Sequence, residues 1–64
     1  MELEKLLLSF LPYTIVTIVL LNQYESRIIY SGGAMDFRRM HKAFEVIRLE
    51  KERDESYTIL VKEL

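Results

Sequence analysis

A chain of 64 residues makes one domain at most, and with no cysteine and a single histidine it has no disulfide framework, thiolate metal site or imidazole cluster. Nine basic and ten acidic side chains leave a net charge of −1, too balanced for an acidic DNA mimic and far from the basic footprint of a nucleic-acid binder. Half of the residues are hydrophobic, and a domain this small buries only about 60% of the surface its unfolded chain exposes, so a homo-oligomer is expected.

Residues 2–11 read as a short amphipathic helix, because Leu3, Leu6, Leu7 and Phe10 fall at the i, i+3, i+4, i+7 spacing. Glu2 and Glu4 lie in its first turn, where the helix dipole favours negative charge. Pro12 ends it, since the residue before a proline is pushed out of the helical region. Residues 13–21 follow as a strand. It is apolar on both sides, with Ile15, Val19 and Leu21 on one and Val16, Ile18 and Leu20 on the other. Such a strand is central in its sheet, or its second side is covered by a partner.

Residues 6–21 (LLLSFLPYTIVTIVLL) carry no charge. As a helix they would span about 24 Å, short of the roughly 30 Å hydrocarbon core. The proline and the β-branched second half favour a core helix followed by a core strand. The acidic start does not resemble a secretory signal. A single-span membrane peptide is therefore the third reading of function.

Residues 22–26 form a polar loop, and residues 27–31 (RIIYS) the returning strand of a hairpin. Gly32 and Gly33 close that strand. Asp36 is placed to cap a second helix, on which Phe37, Met40 and Phe44 make an apolar stripe flanked by Arg38, Arg39, His41 and Lys42. Residues 45–55 read two ways. Helix propensity favours a long second helix through the charged run, whereas Val46 onward also reads as a strand leading through a charged loop into a strand at residues 56–63. Tyr57, Ile59 and Val61 alternate in that last segment.

Tyr30-Ser31-Gly32-Gly33-Ala34-Met35-Asp36-Phe37 resembles a segment of small phage and prophage proteins of Firmicutes. In those proteins a strand ending in aromatic-x-Gly-x-Ala-x-Asp-apolar leads into a short helix and then a β-hairpin. Val46, Ile47 and residues 59–61 fit the hairpin, while the basic insertion 38–42 and the long charged loop depart from the pattern. The resemblance implies an α+β fold ordered helix–β-hairpin–helix–β-hairpin, a small four-stranded sheet covered by helices. The alternative is three strands with a long second helix. It also implies a cytoplasmic protein of an infected or lysogenic bacterial host.

No catalytic set stands out. A triad would need His41 aimed at Ser9, Ser26, Ser31 or Ser56 and held by a carboxylate. Glu45, Glu50, Glu52, Asp54 and Glu55 lie in a mixed charge run that reads as a solvated face. The glycine pair lacks the Gly-Lys-Ser/Thr ending of a phosphate loop. The expected function is therefore non-enzymatic and cofactor-free: a phage-type accessory protein that occupies a surface of a host protein, as anti-CRISPR proteins do. Candidate contact residues are Tyr24, a loop tyrosine, and the basic cluster Arg38, Arg39, His41 and Lys42. The second reading is a homo-oligomeric sponge that sequesters a small anionic or nucleotide ligand on Arg38, Arg39 and Lys42. Nucleic acid and membrane are not expected partners.

Overall fold

The computed structural model describes residues 1–37 and 43–64. It contains one short helix, α1 (Leu3–Leu8), and four strands, β1 (Ile15–Leu21), β2 (Ser26–Gly33), β3 (Phe44–Lys51) and β4 (Tyr57–Glu63), with a 3-10 turn at Ala34–Asp36. The strands form one mixed sheet in the order β2-β1-β4-β3. Each outer strand is hairpin-paired to its neighbour in sequence, and the two central strands, β1 and β4, run parallel.

The expected architecture is corrected by this. The fold is mostly β: a four-stranded mixed sheet with one short helix, neither helix–hairpin–helix–hairpin with helices covering the sheet nor three strands with a long second helix. The expected second helix fails at both of its described ends. Asp36 lies in the 3-10 turn, Phe37 is extended, and Phe44 opens β3 opposite Glu63. Phe44 is buried in the core cluster, so the stripe residue assigned to a helix face serves the sheet. The charged run, read by propensity as helix, becomes the second half of β3 and a tight loop, because pairing with β4 satisfies its backbone groups. Met40 and the basic residues between Phe37 and Ala43 lie outside the described residues. The uncharged run 6–21 is divided between α1, a turn and β1, and among the described residues no helix is long and apolar enough to cross a membrane.

The core lies on one side of the sheet. Val16, Ile18 and Leu20 of β1 alternate inward and meet Ile59 and Val61 of β4, with Ile18 opposite Ile59 and Leu20 opposite Val61 in the parallel register. Leu3, Leu6 and Leu7 bring α1 down on this layer, and Phe44 and Ala34 close its flanks. The helix has no side-chain cap at its start. It is held instead by its apolar face and by the chain before it, where Glu2 makes a β-bridge to Glu45 and the Val46 amide donates to the Met1 carbonyl at 2.8 Å.

The end of β2 is fixed by one aromatic side chain. The Tyr30 hydroxyl donates to the Gly33 carbonyl at 2.6 Å, and its ring meets Phe37 edge-on with centroids 5.2 Å apart. Gly32, at φ 155°, lies under that tyrosine. A Cβ there would stand 3.0 Å from the hydroxyl oxygen, so this position requires glycine.

The β3–β4 loop is tight. The Glu55 amide donates to the Glu52 carbonyl and the Glu52 amide to the Ser56 carbonyl, while Glu55 takes a positive φ of 71°. Hairpin loops of this length normally place glycine at such a position. Asp54 accepts from both the Ser56 amide at 3.0 Å and the Ser56 hydroxyl at 2.5 Å, and these bonds hold its carboxyl below the usual range.

Two outcomes follow from this loop. Glu55→Gly removes the left-handed strain and is expected to stabilise the fold by about 0.5–1 kcal/mol in urea unfolding, net of one exposed ion pair with Lys51. Because the folded pKa of Asp54 is lowered, its contribution is present above the ordinary carboxyl value and lost as pH falls through the folded value. The stability gap between the native chain and Asp54→Ala should therefore narrow below about pH 4.

Candidate functional site

Large apolar side chains that a fold leaves in water are the first place to look for a binding surface, provided that they are contiguous. Here they gather where α1 runs out into the turn before β1. Leu8, Leu11 and Tyr13 expose 86%, 77% and 87% of their surface, and Met35 of the 3-10 turn exposes 65%. Backbone bonds tie the two segments together: the Met35 amide donates to the Pro12 carbonyl at 3.4 Å, and the Ala34 amide to the Thr14 carbonyl at 2.8 Å.

Between α1 and the 3-10 turn lies a groove of about 440 Å³. Leu7 and Leu8 of α1 line it together with Phe10 and Pro12 of the following turn and with Met35 and Phe37. Ala34 also lines it, and Glu4 is the one ionisable side chain of the lining. The local sequence explains its shape. α1 already ends at Leu8, where the Ser9 hydroxyl donates to the Leu6 carbonyl at 2.6 Å, and the chain turns back through the Thr14–Leu11 bond before β1 begins. Phe10 is fixed from behind by Tyr57 of β4, with ring centroids 4.8 Å apart. An apolar groove lined by Leu, Met and Phe side chains, one of them held by an aromatic contact, suits the insertion of an apolar side chain from another protein.

Of the contact residues expected from sequence, Tyr24 is exposed in the β1–β2 loop, where its amide donates to the Asn22 side-chain oxygen at 2.8 Å. That loop is at the far end of the β1–β2 hairpin from the groove, so the structure does not bring Tyr24 to it. Arg38, Arg39, His41 and Lys42 lie outside the described residues. Leu8, Leu11, Tyr13 and Met35 were missed. A signal existed for Leu8, which falls off the 3, 6, 7, 10 stripe, and for the apolar residues flanking Pro12, which no regular element could bury. Met35 carried none.

The carboxylates that could have served a hydrolase are each engaged by a neighbour. Glu45 pairs with Lys62 at 3.2 Å, Glu50 with Arg48 at 2.9 Å and Glu55 with Lys51 at 2.9 Å. Glu52 accepts from Thr58 and Asp54 from Ser56. The Glu55 bond also raises the pKa of Lys51. Among the described residues, no group of three or more His, Asp or Glu side chains could hold a metal ion. Compared with known proteins, the chain matches no family model, no curated protein and no solved structure.

The rim side chains stabilise nothing in the isolated fold. Leu8→Ser, Leu11→Ser and Tyr13→Ser are each expected to change unfolding free energy by no more than about 0.5 kcal/mol. Leu7→Ser, which opens the core beneath the groove, should cost about 2–5 kcal/mol in the same urea titration.

Proposed function

We propose that this protein is a non-enzymatic accessory protein that occupies a surface of a host protein, using the α1–turn groove and its rim as the contact. The observation that carries the reading is an apolar groove lined by exposed Leu8 and Met35, with exposed Leu11 and Tyr13 on either side of its lining residue Pro12 in the chain. Scattered apolar residues are ordinary on any surface, whereas a cluster bordering a concavity is characteristic of a protein contact. Methionine and phenylalanine are residue types that interfaces favour, and the groove is lined by Phe10, Met35 and Phe37.

The occupant is an apolar or aromatic anchor projecting from the partner. A cavity of about 440 Å³ is ample for one such side chain and its neighbours, and burying a leucine- or phenylalanine-sized group there contributes about 1.5–3 kcal/mol. The partner is a host protein met in the cytoplasm of an infected or lysogenic bacterium. Blocking a defence complex, in the manner of anti-CRISPR proteins, is the concrete form of the proposal, resting on the likeness of residues 30–37 to small phage proteins.

Affinity capture from a host-type lysate, read by native mass spectrometry, tests this. The native chain should retain one host protein at fixed stoichiometry, and a Leu8→Ser, Leu11→Ser, Tyr13→Ser triple variant should lose it at least ten-fold. Equal capture by the triple variant would move the contact elsewhere. Capture of no host protein by either would end the proposal.

A further inference from the structure

The sheet has two sides, and the described residues cover one. On the core side, α1 and the 3-10 turn lie over Val16, Ile18, Ile59 and Val61. Nothing in the described chain is packed on the other side. The strand pairing shows what it displays: Ile15, Val19 and Leu21 from β1, Ile28 of β2 opposite Val19, and Leu60 of β4 beside Val19 in the parallel register, crossed by one polar row in which Thr17 lies between Ser31 and Thr58. Ile28 and Ile15 expose 64% and 49% of their surface, whereas Val19, Leu21 and Leu60 are half-buried. A central strand apolar on both sides is the pattern of a sheet covered twice.

We propose that a second copy of this chain covers that side, so that two sheets pack face to face about a two-fold axis. Three observations select this occupant. The first is charge. The ionised groups on the open side stand on β3, at Lys62 near the end of β4 and at Glu52 of the β3–β4 loop, and each is engaged inside the same chain: Arg48 pairs with Glu50, Lys62 with Glu45, and Glu52 accepts from Thr58. The face therefore asks for no charge complement, and an identical face offers none. Its apolar centre and charged margin match the core-and-rim division of a protein interface.

The second is the state of the edges. Both outer strands carry a bulge, with the extra residue at Ile29 in β2 and at Ile47 in β3. The start of β3 is also taken up by the bridge from Glu2 to Glu45. Bulges and covered edges oppose edge-to-edge pairing of sheets, which leaves the face as the route to association.

The third is area. Four strands of seven or eight residues present a face of roughly 19 by 23 Å, or roughly 900 Å² of flat area between two copies. Side-chain relief brings this to about the 1,000 Å² that a specific contact needs, at the weak end of that range. Sheets stacked in this way sit about 10 Å apart with their strands about 30° from aligned. The pairing leaves both α1–turn grooves on the outside, so it is independent of the contact proposed above.

Sedimentation equilibrium of the purified chain over a wide concentration range tests the pairing. The expected result is a reversible shift from 7.7 kDa towards twice that mass. Val19→Lys, placed at the centre of the face, should raise the apparent dissociation constant at least ten-fold. Ile28→Lys, on an already exposed side chain of an outer strand, should do so even if Val19→Lys fails to fold, with circular dichroism reporting the fold of each. The Leu11→Ser, Tyr13→Ser double variant should associate like the native chain. A native chain that keeps the mass of one copy up to about 1 mM overturns the proposal. So does an association that the groove variant abolishes, or one that a folded Ile28→Lys leaves unchanged.

Discussion

The parallel pairing of β1 with β4 is the constraint on which the rest of this fold depends. It places Ile18 opposite Ile59 and Leu20 opposite Val61 in the centre of the sheet, where Ile18, Ile59 and Val61 lose all contact with water. The two hairpins are local and could each form from adjacent sequence. Neither has a closed hydrophobic face by itself, and an isolated hairpin is marginal in water. Joining them through their inner strands creates the layer on which α1 can settle. A parallel ladder between residues about forty positions apart also carries a loop-closure cost, which the apolar pairs across it must offset.

That central ladder sets the character of both sides of the molecule. One helix of six residues is enough to cap the core side, because Leu3, Leu6 and Leu7 all point down from it. Among the described residues nothing packs on the opposite side, where the alternation of β1 and β4 places Val19 and Leu60. The ending of α1 at Leu8 and the turn through Pro12 likewise leave Leu8, Leu11 and Tyr13 exposed. The two candidate contact surfaces are thus consequences of a small domain having one helix and one core layer.

At the β2 end, Tyr30 joins three features into one corner: it bonds to Gly33, covers Gly32 and meets Phe37 edge-on. This gives a physical role to Tyr30 and Gly32 within the segment 30–37. The aromatic residue needs a glycine two positions on because the ring lies where a side chain would be. Asp36 stands near Gly33 on the same corner. The glycine pair belongs to strand termination and not to a phosphate site.

Sequence alone determined the elements whose signal is local. The opening helix and its leucine face, the two-sided apolar strand β1, the polar loop after it and the returning strand were legible because period and turn chemistry act within a few residues. The absence of cysteine and the near-neutral charge narrowed the chemistry in the same direct way. Tertiary structure decided the remainder. The run after Phe44 had good helix propensity, yet it is strand and loop, because β4 offers it a ladder of backbone partners and Phe44 and Val46 a place against the core. Propensity differences of under about 1 kcal/mol per residue yield to such pairing. Strand order, the parallel join of β1 to β4, and the side of the sheet left open all depend on contacts between distant residues. Periodicity within one segment carries no information about which other segment it meets.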